Sequence, residues 1–145
     1  MPQVRGIDLS PAMLEAARAA VPGVPFSIGD LRRLEAADGA WAGIAAFYAI
    51  VHLEPDEVRA AARELARVLR PGGRLLLAFH AGDERIRLRE WFEHAVDVEW
   101  IFHDPTAVEQ ALGDAGFIVD ATILRRAYTP HEHDTRRAYL LAHRA

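Results

Sequence analysis

Cysteine is absent from this 145-residue chain. Disulfides, thiolate metal sites and thiol nucleophiles are excluded together by that one gap. An excess of basic residues is also missing. The net charge is −4 at pH 7, the wrong sign for a dedicated nucleic-acid binder, which turns a basic surface toward phosphates. No apolar run approaches the roughly 20 residues of a membrane-spanning helix, so no membrane partner is expected. The first residues carry no charged leader ahead of an apolar stretch, and a cytoplasmic location is expected. What remains is ordinary: 51% hydrophobic and 26% charged residues, at a length that suits one domain with a core of its own.

Four short apolar runs, 4–8, 25–28, 44–49 and 74–79, read as strands covered on both faces. Amphipathic stripes mark the helices. Met13, Leu14, Ala17 and Val21 follow Ser10, a natural cap, with Pro11 suited to the first turn. Val58, Ala61, Ala62, Leu65, Val68 and Leu69 form a second stripe, opened by Pro55-Asp56-Glu57 and stopped by Pro71-Gly72-Gly73. Arg67 and Arg70 sit at its negative end. A third stripe, Val108, Ala111, Leu112 and Ala115, lies between Asp104-Pro105 and Gly116. The spacing of Leu88, Trp91, Phe92 and Ala95 predicts another short helix. The charges at Asp83, Glu84, Arg85, Arg87, Arg89 and Glu90 then read as a solvated helical face. Val96, Val98, Trp100 and Phe102 alternate as a strand or an extended lid. Alternation at Phe117, Val119, Ala121 and Ile123, and again at Ala138, Leu140 and Ala142, predicts an antiparallel pair joined through 128–134. The stretch 31–39 reads as a loop, and no repeat or linker divides the chain. The whole reads as one α/β domain, 1–145, with an antiparallel end.

The run 4–8 ends in Asp8, and a helix opens at once behind Ser10-Pro11. An acid at the carboxyl end of a parallel strand is placed to hydrogen-bond the hydroxyls of a nucleotide ribose, although an Asp here also serves as a helix cap. The wording Gly6-Ile7-Asp8-Leu9-Ser10-Pro11-x-Met13-Leu14 resembles the second strand of class I S-adenosylmethionine-dependent methyltransferases. The resemblance continues along the chain. Gly29-Asp30-Leu31 looks like the family's adenine-edge segment, and 46–53 is similar to its fourth strand and the loop beyond. Arg67-Val68-Leu69-Arg70-Pro71-Gly72-Gly73-Arg74-Leu75 resembles its downstream signature. Ala115-Gly116-Phe117 and Arg137-Ala138-Tyr139-Leu140 resemble its sixth and seventh strands.

The resemblance implies a Rossmann-like, mostly parallel sheet with an antiparallel C-terminal strand, S-adenosyl-L-methionine as cofactor, and methyl transfer to a small-molecule acceptor. It implies Asp8 as ribose acceptor, Asp30 as adenine partner, and Leu9, Met13 and Leu31 as apolar walls around the base. Ordinary core packing of Met13 and Leu31, and a turn role for Asp30, stand beside those readings. Branches that methylate nucleotide bases or glutamine carry an Asn/Asp-Pro-Pro-aromatic segment where this chain has Tyr48-Ala49-Ile50-Val51, so they are set aside. A single acid after a strand also fits a nicotinamide-dinucleotide oxidoreductase, which stays as an alternative.

One feature of the family is missing. No Gly-x-Gly pair followed by a helix precedes Asp8, and that loop brings backbone close to the methionine half of the cofactor. The chain is therefore expected to be an N-terminally truncated, partial domain with impaired transfer, or a non-catalytic, self-associating remnant. The sheet is expected to close by the flanking strands moving together or by a homodimer contributing a strand.

Candidate chemistry follows the same edge. Methyl transfer from a sulfonium rests mainly on positioning, and a base enters only when the acceptor must lose a proton. His52, with Tyr48 shortly before it, is read as the catalytic pair; a loop histidine capping the next helix is the plain reading. His80 is a weaker candidate. Trp91, Trp100, Phe102 and His103 either line an acceptor pocket or pack an insert onto the domain. His131-Glu132-His133-Asp134 reads as a polar loop, with no metal expected, because zinc would recruit cysteines.

Overall fold

A computed structural model describes residues 3–91 and 93–145; for Trp91 the backbone alone is described. The element order is β1 (Gly6–Asp8), α1 (Pro11–Ala20), β2 (Phe26–Ile28), β3 (Trp41–Phe47), α2 (Pro55–Val68), β4 (Leu69–Ala81), β5 (Arg85–Trp91), β6 (His94–Ile101), α3 (Pro105–Asp114), β7 (Phe117–Arg125) and β8 (Arg136–Arg144). Each helix starts where local chemistry demands it. Ser10 caps α1 by accepting from the Met13 N–H, and Asp104 caps α3 by accepting from the Thr106 N–H. Glu54 and Glu57 form a reciprocal capping box on α2, with Pro55 inside it.

Among the described residues strand pairing gives three separate sheets. β1 and β2 form a parallel pair, β3-β4-β8-β7 form a four-stranded mixed sheet, and β5-β6 form an antiparallel hairpin. Within the larger sheet β3 runs parallel to β4, whereas β8 is antiparallel to both its neighbours. The fold is a Rossmann-like α/β arrangement with the antiparallel C-terminal end that the sequence predicts. The core lies between one face of this sheet and the two longer-packed helices. Leu75, Leu77, Phe79, Leu140 and Ala142 meet Val58, Ala62 and Leu65 of α2 and Val108 and Leu112 of α3.

Two expectations are corrected. No helix forms among the described residues of 88–95: Leu88 and Ala95 lie in the β5-β6 hairpin, whose alternating arginines meet acids across the strands, Arg87 on Asp97 at 2.7 Å, while Phe92 of the expected stripe lies outside the described residues. The charge run is thus the face of a strand pair rather than of a helix. Nor do the strands flanking the expected gap move together. Among the described residues β1 bonds only β2, and β3 bonds only β4 on one side.

Candidate active site

The carboxyl ends of the parallel strands are brought to one edge. β1 and β2 are in parallel register, Asp8 opposite Ile28, so Asp8 and Asp30 lie at the same end. At the opposite end, Arg5 ahead of β1 lays its guanidinium 4.6 Å from the Trp41 ring at the start of β3. β1 and β3 therefore share their amino ends. Arg32 ties the carboxyl ends together, holding Asp30 at 2.7 Å and also bonding Glu57 in the first turn of α2. Asp8, Asp30 and the 48–52 loop share the carboxyl edge.

The two acids differ in what they still offer. Asp8 Oδ1 accepts the Ser10 N–H at 2.8 Å, which ties the loop and leaves Oδ2 without a described partner. Asp30 is gripped by the Arg32 guanidinium and by its N–H, and that contact lowers the carboxyl pKa. Around Asp8 the apolar side chains are bare: Leu9 is 58% and Met13 59% exposed. Leu31 is half-buried and packs against the core.

Tyr48 ends β3 in the left-handed region, φ +53°, with its N–H donated to the Ala78 carbonyl. For a bulky residue this conformation is costly and persists only where surrounding contacts hold it. Burial raises the Tyr48 pKa, helped by the neighbouring Tyr139, so its hydroxyl stays a donor. His52 is exposed, and its Nδ1–H donates to the Glu99 carbonyl at 2.6 Å. In a neutral ring that bond puts the lone pair on Nε2. β6 clasps the loop further, because the Ile101 N–H bonds the Val51 carbonyl and His103 Nε2 donates to the Ile50 carbonyl.

A cluster at this edge was not foreseen as a unit. The His80 ring stacks on Trp100 and Phe102, both with centroids 5.2 Å away, and Tyr48 lies at 4.9 Å. His133 meets Trp100 edge-on, and His80 Nδ1 bonds Thr135 Oγ1 at 2.8 Å. Burial, with Arg137 and His133 nearby, lowers the His80 pKa to about 4, so the ring is neutral near pH 7 and a weak base. Arg137 is buried at the opposite register position and donates to the Thr135 and His133 carbonyls. An arginine at an inward position of an apolar strand was the available sequence signal. Phe102 and His103 are buried as packing residues. Glu132 is taken by Arg125, and among the described residues no three His, Asp or Glu side chains assemble as a metal site.

The family model described as "Methyltransferase domain" matches residues 1–73, half of the chain. The chain belongs to the class I S-adenosylmethionine-dependent methyltransferases. This methyltransferase chain is 40% identical over 82 residues to methyltransferase GfsG of Streptomyces halstedii, an alignment covering 52% of this chain and 28% of that relative. It thus spans little more than a quarter of the relative's length. A solved S-adenosylmethionine-dependent methyltransferase from Methanosarcina mazei shares the fold with a TM-score of 0.82 at 17% identity, over 97% of this chain and 81% of that one. CalS10, described as an amino pentose methyltransferase from Micromonospora echinaspora solved with S-adenosylmethionine bound, gives 0.67 at 21% identity over 100% and 75% of the two chains.

S-adenosyl-L-methionine is the family's cofactor, and the residues of this methyltransferase fit its adenosine half. The Oδ2 of Asp8 suits ribose hydroxyls, and the bare Leu9 and Met13 suit a base. For the methionine half, no glycine-rich turn between a strand and a helix occurs among the described residues next to β1 or β3.

Proposed function

We propose that this domain serves methyl transfer to a small-molecule acceptor, and that residues 1–145 alone transfer poorly. The observation that carries the reading is the convergence of Asp8, Asp30 and the Tyr48-to-His52 loop on one edge of split parallel sheets. S-adenosyl-L-methionine supplies a methyl already activated on a sulfonium, so the chain's part is to bind, orient and exclude water. Asp8 holds the ribose, Leu9, Met13 and Leu31 wall the base, and Asp30 with its Arg32 clamp borders the adenine edge. His52 Nε2 takes the proton of a hydroxyl or amine acceptor, and the Tyr48 hydroxyl donates beside it. The weak link is orientation: two half-sheets without a ladder between them hold adenosine but not the reacting centre.

Calorimetry with S-adenosylhomocysteine and with NAD tests this. S-adenosylhomocysteine binds and NAD does not. Asp8→Asn weakens the complex by about 10- to 100-fold, since a hydrogen bond to a charged group contributes roughly 1.5–3 kcal/mol. Tight binding of NAD alone, or an Asp8→Asn variant with unchanged affinity, would sink the assignment.

A further inference from the structure

We propose that the acceptor is an aromatic carboxylate, held through its anionic group by the Tyr48 hydroxyl with Arg137 behind it. That this ligand is the methyl acceptor rests on the methyl-transfer reading; the subsite itself rests on side chains at the ends of β3, β4 and β8. His80 faces Arg137 across β4 and β8, and Ala78 faces Tyr139. Arg125 lies opposite Arg137 on β7. Leu77 and Phe79 turn into the core, so His80, Arg137, Tyr139 and Arg125 share the other face of the sheet. Tyr48 reaches them from the end of β3, its ring 4.9 Å from His80 and its hydroxyl beside Tyr139 and Arg137.

Two observations say what this face lacks. The first is charge. Arg125 takes Glu132 in a bidentate pair, at 2.7 and 2.8 Å. Arg137 is only 4% exposed and spends its two Nη atoms on backbone carbonyls. Its Nε lies 3.6 Å from the Glu132 carboxylate, too far for a hydrogen bond. Among the described residues that Nε is the single buried side-chain nitrogen or oxygen without a hydrogen-bond partner. His80 is neutral near pH 7 and adds no counter-charge. Two guanidiniums thus share one carboxylate, and a buried cation short of a partner favours a second anion. The second observation is hydrogen-bond direction. The Tyr139 oxygen accepts from Arg125 Nη2 at 2.7 Å and from Nε at 3.2 Å. Both of its lone pairs are then used, so its proton goes to the Tyr48 oxygen. Arg137 has no lone pair to offer either. The Tyr48 proton is left for an oxygen from outside, and a carboxylate supplies both that oxygen and the missing charge. Tyr48 and Trp100, both half-buried, lie against His80 as flat apolar walls, which suits a carboxylate carried on an aromatic ring.

The test is calorimetry and amide NMR on the full chain, with benzoate, benzamide and acetate as probes. Benzoate should bind and shift the amides of Tyr48 and Arg137. Benzamide, the ring without the charge, and acetate, the charge without the ring, should each bind about tenfold or more weakly. Tyr48→Phe keeps the ring and the backbone preference. It should cost benzoate about tenfold in affinity and benzamide clearly less. Arg137→Lys should retain more of the preference for benzoate than Arg137→Met, in variants whose urea midpoints show a folded chain. S-adenosylhomocysteine is titrated in parallel. Benzoate binding without it would leave the subsite standing and count against methyl transfer. Binding of S-adenosylhomocysteine with no benzoate would overturn the subsite alone. Equal affinity for benzoate and benzamide, or a Tyr48→Phe variant that binds benzoate as well as the parent chain, would overturn it too.

Discussion

His80 shows how burial sets the working state of a side chain. The ring stacks on Trp100 and Phe102, and Arg137 and His133 lie nearby. Glu132 alone in that group favours the charged form. Because the folded ring holds its proton less readily, the unfolded state takes up protons first as pH falls from 6.5 toward about 4. Stability therefore declines through that window and is fully present above it. The midpoint of urea unfolding should be lower at pH 5 than at pH 7, and His80→Gln should flatten that slope. Some slope will remain, since burial lowers the His103 pKa in the same direction. A variant with the full wild-type slope would show that His80 is not the group titrating. The same residue marks a limit of sequence reading. Asp8, Asp30, Tyr48 and His52 can be placed on one edge from the sequence because each lies at, or shortly after, the carboxyl end of a strand within one local segment. The aromatic cluster draws on β4, β6 and the 126–135 connection, and no local pattern announces that.

Among the elements, α2 carries the strongest ties. Glu64, only 14% exposed, accepts the Leu34 N–H at 2.6 Å and pairs with Arg67 at 2.7 Å. Arg67 in turn donates to the Leu34 and Ala36 carbonyls, stitching the 34–38 loop to the helix. Glu64→Ala should cost about 1–3 kcal/mol, because it strands a donor that the fold has partly removed from water. In the hairpin, Asp97 and Arg87 are each more than half exposed. Asp97→Asn should cost under about 1 kcal/mol, the range of solvent-screened pairs. Paired urea titrations distinguish the two, and equal losses would refute the ranking. The hairpin itself was misread because Leu88, Trp91, Phe92 and Ala95 happen to share helical spacing. The alternation of Arg85, Arg87 and Arg89 was the better guide: a two-residue period is a strand's period. Elsewhere the strands and helices were legible because caps, prolines and apolar periods agree.

At the scale of the molecule, the β1-α1-β2 unit hangs on side-chain ties rather than on a ladder. Arg5 on Trp41, Arg32 on Glu57 and the Arg67 contacts do most of the joining. Local openings need break only those and the packing of Ile7 and Leu31 on the core. Amides of β1 and β2 should exchange with a free energy clearly below that of β4 and β8, whose long antiparallel register runs through the core. Exchange mapped by mass spectrometry at neutral pH decides it, and uniform protection across both sheets would contradict the picture. Outside the β5-β6 hairpin the order of elements was legible in the sequence. That β1 and β3 form no ladder with each other among the described residues was not, because no local pattern fixes the spacing of two strands remote in sequence.

The bare rim of β3 has a consequence for the chain in bulk solution. It carries no charge from Trp41 to Phe47, and nothing along it repels a like strand. Such rims are templates for edge-to-edge stacking into aggregates. Aggregation of residues 1–145 is expected to begin along that seven-residue rail and to rise with concentration.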